Sequence, residues 1–220
     1  RDRGNQFSQQ LPVFDQSVQT NSYPGFSIWR SMMTQFTRHT SESAPAASKP
    51  LLEGAQKAFG FTPNLLATMA EAPAALEGYM TLASIFDKSS LSETERQIVL
   101  MTNNRLNGCV YCMAAHTTIS QMKGVPDDVV QSLRDNTPIA DGKLEALRQF
   151  AEQVNVSDGR PTEENIRSFL DVGYGQQQIL EVIVGTGLKV LSNYTNHVSE
   201  TPLDDAFSKN AWSAEVQPVG

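Results

Sequence analysis

Cys109-Val110-Tyr111-Cys112 contains both cysteines of the chain, and Met113-Ala114-Ala115-His116 follows at once, so one short stretch reads C-x-x-C-x-x-x-H. Two thiols at this spacing can close into a disulfide and reopen, and an imidazole beside them titrates near neutral pH. With no third cysteine, a structural disulfide framework and a four-cysteine zinc site are excluded, so the pair works as a dithiol or supplies two metal ligands. A zinc site of Cys109, Cys112, His116 and the distant His197 is chemically possible. Three ligands from one helix strain a tetrahedral ion, however, so the dithiol reading fits better and no metal is expected.

The chain around the pair sharpens that reading. Asn107-Gly108 ends one helix and restarts the chain, which puts Cys109 at or just before a helix N-terminus and Cys112 one turn inside. Positions three apart on a helix have Cβ atoms about 5 to 6 Å apart, slightly more than a disulfide needs, and a frayed first turn closes the gap. Unpaired N–H groups at a helix start favour a thiolate, so one or both thiols should be more acidic than the reference value of about 8.5. His116 lies on the same stripe, able to take the Cys112 proton and return one to a leaving alkoxide, while Ala114 and Ala115 leave room around it. Taken singly, His116 reads as a satisfied helix histidine, His197 as a helix C-terminal group responding to the dipole, and His39 as a surface residue.

The elements that must position this stretch are helical. Apolar residues recur at helical spacing over 50–59, 63–70, 73–88, 92–106, 109–123, 126–134, 141–156, 163–170 and 176–197, and no segment reads clearly as strand. Pro63 and Pro73 read as first-turn prolines. Ser92-Glu93-Thr94-Glu95 is a capping box, followed by an apolar face at Ile98, Met101, the stem of Arg105 and Leu106. Ile179, Leu180, Val182, Ile183, Leu188 and Leu191 nearly encircle the last helix, which predicts that it is central. Tyr79, Met80, Leu82, Ile85 and Phe86 read as core. Gly185-Thr186-Gly187 lacks the strand and glycine spacing of a phosphate loop, so it reads as a close-packing device and no cofactor is expected.

Length and composition bound the rest. The 220 residues predict one all-α domain over 34–212 with a tail at 213–220. Residues 1–33 are rich in Gln, Ser and Asn and without period, and Met32-Met33-Thr34 reads as a translation start. We leave them as an unassigned extension, foreign or disordered, whose Phe26, Ile28 and Trp29 could dock on a partner. A net charge of −7 argues against nucleic acid or an anionic membrane as partner. No apolar run reaches the roughly 18 residues a membrane span needs, and no signal pattern opens the chain, so the expected location is the cytoplasm.

Residues 91–124, LSETERQIVLMTNNRLNGCVYCMAAHTTISQMKG, resemble the carboxymuconolactone decarboxylase and alkylhydroperoxidase D superfamily, whose hallmark is a capped helix followed by N-G-C-x-Y-C-x-x-x-H. The similarity extends over roughly 36–212, including FGFTPNLLATMAEAPAALEGY, KLEALRQF and SNYTNHVSETPLDDAF, in the manner of a peroxidase-related subgroup. The resemblance implies an AhpD-like bundle of eight to nine helices, assembled as a homo-oligomer. It further implies a thiol-dependent peroxidase that reduces hydroperoxides and is recycled by a lipoyl or thioredoxin-like dithiol donor.

On the same resemblance Cys112 is the peroxide-attacking cysteine, Cys109 its disulfide partner and His116 the proton-relay histidine. Two positions depart from the family. Gln97 stands where the relay has a glutamate, and Tyr111 stands where the characterised type has a histidine before the second cysteine. Gln97 can hydrogen-bond His116 but carries no charge, so the relay could weaken, depend on Tyr111 or recruit Glu93 one turn earlier. Two other functions stay open: a decarboxylase-type lyase in which His116 works on a small lactone acid, and a redox-sensing dithiol without peroxidase turnover.

Overall fold

The computed structural model describes residues 36–214. The extension 1–33, with Phe26, Ile28 and Trp29, lies outside the described residues, as does the tail beyond 214. Nine α-helices and one 3₁₀ turn are formed among them, with no strand. They are α1 (Lys49–Phe59), α2 (Asn64–Met69), α3 (Pro73–Phe86), α4 (Glu93–Leu106), α5 (Val110–Met122), α6 (Asp127–Asp135), α7 (Gly142–Val156), α8 (Glu163–Asp171) and α9 (Gln176–Ser199), with the 3₁₀ turn at Asp205–Asn210. Each helix falls within two residues of its predicted span. Pro73 occupies the first turn of α3 as expected, whereas Pro63 sits one step earlier, as the N-cap of α2.

Local chemistry explains several boundaries. Ser92 Oγ accepts from Glu95 N at 3.3 Å while Glu95 Oε2 accepts from Ser92 N at 2.7 Å, so the capping box starts α4 as read. Helix α4 ends in a Schellman arrangement: Gly108 adopts φ +66°, its N–H donates to Arg105 O at 2.9 Å, and Cys109 N–H donates to Asn104 O at 2.9 Å. Cys109 is then already the N-cap of α5, so two helices share one tight junction.

The core has two parts. Phe86, Ile98, Val99, Met101, Leu147, Phe150 and Val182 belong to the larger, in which Phe169 stacks on Phe150 at 4.3 Å and on Tyr174 at 4.5 Å. The smaller holds Leu52, Leu65, Leu66, Leu76 and Phe207 together with both cysteines. The last helix is not the central one. Every residue of α4 from Gln97 to Asn104 is buried, whereas α9 buries Val182 and Leu188 and exposes Leu180, Ile183, Leu191, Tyr194 and Val198. Apolar residues encircle α9 because it has one face in the core and another exposed.

After α9 the chain turns back as a strap over α5. Asn210 Nδ2 donates to Thr118 Oγ1 and Gln121 Oε1, both at 2.9 Å, and Arg134 donates to the carbonyls of Asn210 and Ala211 at 3.1 and 3.0 Å. The strap brings Asp204 and Phe207 to the cysteine end of α5. None of the described helices is long and apolar enough to cross a membrane.

Gly185 is the close-packing glycine that the sequence suggested, and Gly187 is not. A Cβ at Gly185 would meet Val99 Cγ1 at 2.7 Å and Phe86 Cζ at 2.8 Å, while one at Gly187 would meet nothing within 4 Å. Gly185→Ala should therefore destabilise the protein by about 1–3 kcal/mol through overpacking. Gly187→Ala should leave it unchanged or up to about 1 kcal/mol more stable through helix propensity. Urea unfolding of the two variants checks the contrast, and equal effects would refute it.

Candidate functional site

The junction between α4 and α5 sets the sulfur geometry. As N-cap, Cys109 has φ −81° and ψ +94°, outside the helical region, and this swings its side chain toward the first turn of α5. The two sulfurs lie 3.3 Å apart as free thiols, 1% and 2% exposed. This is closer than two helical positions three apart would bring them, and the non-helical N-cap supplies the difference.

Helix α9 closes over the pair. Asn196 Nδ2 donates to Cys112 Sγ at 3.2 Å and approaches Cys109 Sγ at 3.7 Å. Burial pushes the Cys112 thiol up, but the Cys109 thiol, the charge of Lys189 and the Ser192 and Asn193 side chains together hold it below the usual range. Cys109 goes the other way: its hydrogen bond with Cys112 raises it first, and burial adds to that. The two thiols are thus driven in opposite directions, Cys112 below the ordinary range and Cys109 above it.

His116 joins a directed chain of contacts. Gln97 Nε2 donates to Glu93 Oε1 at 2.9 Å; because a carboxylate only accepts, this fixes which way the amide faces. Gln97 Oε1 therefore faces His116 Nδ1, at 2.9 Å, and must accept from it. The proton of neutral His116 is on Nδ1, and its Nε2 lone pair accepts from Lys189 Nζ at 3.1 Å. Burial first, then the charges of Lys189 and Lys123, hold the imidazole well below its ordinary value. Glu93, one amide away from His116, is pushed up by burial, but hydrogen bonds from Gln97, Arg96 and Lys123 outweigh that and keep it below the carboxylate range.

Tyr111 is oriented by the strap. Its hydroxyl donates to Asp204 Oδ2 at 2.5 Å and accepts from Leu65 N at 3.3 Å, while its ring packs edge-on against Phe207 at 6.0 Å. Burial and the Asp204 hydrogen bond raise the phenol, so it stays protonated. Asp204 also accepts from Asn64 N at 3.2 Å, which ties the strap, α2 and α5 together beside the dithiol.

An amide ladder, buried at Asn103, Asn104 and Asn193 and half-buried at Asn107 and Asn155, supports the site from behind. Asn155 of α7 donates to Asn103 of α4 and to Asn107 at its C-cap at 2.8 and 3.2 Å, and Asn107 donates to Asn193 of α9 at 2.8 Å. Asn193 donates back to Asn104 at 3.0 Å, and Asn104 donates to the Cys112 carbonyl at 3.3 Å. Leaving Asn103, Asn104 or Asn193 unpaired costs about 1–3 kcal/mol, so the ladder fixes how α4, α5 and α9 meet.

A cavity of about 70 Å³ opens at Cys112, His116 and Lys189, walled by Tyr79, Tyr111, Phe59, Leu65, Leu66 and Phe207 among others. The structure therefore brings Cys109 to Cys112 and Gln97 to His116, and it places Cys112, His116 and Tyr111 on the wall of one cavity. Sequence reasoning missed Lys189, Asn196 and the strap residue Asp204, and it read Tyr79 only as core. A lysine on the buried stripe of an otherwise apolar helix was the available signal for Lys189. Nothing local marks Asp204, whose partners are 93 and 140 residues away. His197 faces solvent in the last turn of α9. Among the described residues no three His, Cys, Asp or Glu side chains are grouped to hold a metal ion.

The sequence pattern of the carboxymuconolactone decarboxylase family matches residues 70–153. No curated protein matches the chain in sequence. Among solved structures, the alkylhydroperoxidase AhpD core of an uncharacterised peroxidase-related protein from Ralstonia eutropha JMP134 superposes with a TM-score of 0.70 at 19% identity, covering 79% of this chain and 93% of that one. A peroxidase-related protein from Silicibacter sp. TM1040 gives 0.67 at 19% identity, covering 80% and 94%. The debrominase Bmp8 gives 0.69 at 19% identity, covering 81% and 97%. These likenesses carry the fold, and the segment similar to the carboxymuconolactone decarboxylase family spans the cysteine motif.

Proposed function

We propose that the protein is a thiol-dependent peroxidase. The observation that carries this reading is the pair of sulfurs 3.3 Å apart, with an amide donor on them and Cys112 facing a small cavity beside a neutral histidine and a buried ammonium. The Cys112 thiolate attacks the distal oxygen of a hydroperoxide; the O–O bond breaks, an S–O bond forms, and the sulfur becomes a sulfenic acid. The Cys109 thiol then condenses with that acid, forming a disulfide and releasing water, and an external dithiol of the lipoyl or thioredoxin type reduces the disulfide. Cys109 keeps its proton until that second step, which suits the resolving role.

Gln97 holds the His116 tautomer and links it to the Glu93 carboxylate, so the charge lost with the family glutamate returns one turn earlier through an amide. Tyr111 shapes the cavity wall through its hydrogen bond to Asp204. A second copy of the chain covers the exposed residues Leu180, Ile183, Leu191, Tyr194 and Val198, which share one stripe of α9.

Three outcomes are expected. In stopped-flow assays, Cys112→Ser should abolish peroxide consumption, while Cys109→Ser should consume about one equivalent and accumulate a trappable sulfenic acid. Peroxide loss that survives Cys112→Ser ends the peroxidase reading, and decarboxylation of a lactone acid after alkylation of both thiols would replace it with the lyase reading. Because Cys112 lies below the ordinary thiol range, its thiolate absorbance should persist as pH falls below about 8.5 and vanish only as pH passes its own lowered value. Asn196→Ala should move that loss upward by about one to two pH units, the worth of one hydrogen bond to a charged group. An unmoved titration would refute the assignment to Asn196. Leu180→Glu with Tyr194→Glu should yield a monomer by light scattering, where the unaltered chain is a homo-oligomer.

A further inference from the structure

The chain carries a buried cation that the peroxidase reading leaves unexplained. Lys189 is 1% exposed, half-way along α9, and no carboxylate among the described residues pairs with it. An ammonium out of water without an anion is costly, and the anion within its field is a thiolate at Cys112. Its Nζ touches His116 Nε2 at 3.1 Å and lines the same cavity as Cys112.

The proton inventory of that cavity is short. His116 gives its Nδ1 proton to Gln97 and offers only a lone pair at Nε2, so in this tautomer it has nothing to donate into the cavity. The Tyr111 hydroxyl donates to Asp204, and the Tyr79 phenol, also on the wall, is raised by burial and by the neighbouring sulfurs and so holds its proton tightly. Cys112 has no proton as a thiolate. Of the nitrogen groups on the wall, the Lys189 ammonium alone has protons beyond its contact with the imidazole. The titratable groups around it are Cys109, Cys112 and His116 of α5, with Lys123 at that helix's end, Tyr79 of α3, and Glu93 of α4 behind Gln97.

We propose that Lys189 is a further catalytic residue: its ammonium protonates the alkoxide that leaves when the Cys112 thiolate cleaves the O–O bond. The role rests on the peroxidase reading above. In the first step thiolate, hydroperoxide and ammonium become sulfenic acid, alcohol and neutral amine. In the second, the Cys109 thiol and the sulfenic acid become a disulfide and water. In the third, the external dithiol supplies two protons and two electrons, restoring the Cys109 thiol, the Cys112 thiolate and the Lys189 ammonium. His116, with Nδ1–H held by Gln97, positions the ammonium through its Nε2 lone pair and draws no proton from the sulfur. This reverses the sequence-based expectation that the imidazole moves the proton, and it makes a neutral glutamine at position 97 sufficient.

The test compares leaving groups in single-turnover oxidation of the reduced full chain. tert-Butyl hydroperoxide expels an alkoxide that needs a proton; peracetic acid expels acetate, which does not. Lys189→Met should lose about 10²- to 10⁴-fold more rate with the alkyl hydroperoxide than with the peracid. Lys189→Arg keeps the charge but holds its proton, so it should preserve the Cys112 thiolate titration and still lose the alkyl hydroperoxide reaction selectively. Equal losses on both oxidants, or full rescue by arginine, would overturn the assignment while leaving the peroxidase reading intact. An unaltered chain inert to both oxidants would overturn both. Helical circular dichroism checks folding, and the arginine variant carries the comparison if the methionine variant does not fold.

Discussion

The two-residue turn Asn107-Gly108 is the constraint on which the site depends. It ends α4 in a Schellman arrangement and lets Cys109 serve both as the last partner of α4, through its N–H on Asn104 O, and as the N-cap of α5. That double duty holds Cys109 out of helical geometry and its sulfur 3.3 Å from that of Cys112. A side chain larger than hydrogen at position 108 would strain the left-handed φ of +66°, and a continuous helix would carry the two sulfurs apart.

Once the sulfurs are placed, electrostatics sorts them. Water is nearly absent from both, so any charge must be met by protein groups, and α9 supplies them from one face: Lys189, Ser192, Asn193 and Asn196 follow at helical spacing. The amide ladder through Asn103, Asn104, Asn107 and Asn155 keeps that face in register with α5. Polar burial on this scale adds little net stability, since each bond replaces one to water, but it penalises every misplacement. Those buried amides make the position of α9 specific.

The apolar pattern explains both what sequence reading found and where it slipped. Helix positions were legible because prolines, the Ser92 capping box and Gly108 mark them locally. The central element was misjudged because periodicity counts apolar residues without telling a core face from an exposed one: α9 has both, while α4 is enclosed through asparagines and a glutamine as well as aliphatics. Polar residues buried by pairing look like surface in a sequence. The same blindness hid Asn196 and Asp204, whose partners lie 84 and 93 residues away.

The sequence by itself determined the all-helical class, the junction, the dithiol and the histidine one turn beyond it, because each of these rests on interactions within a few residues along the chain. Only the tertiary structure decided which thiol is the more acidic, which nitrogen of His116 bears the proton, and that a lysine 73 residues later touches that imidazole. Those outcomes depend on which groups replace water around a buried atom, and helices distant in sequence supply them.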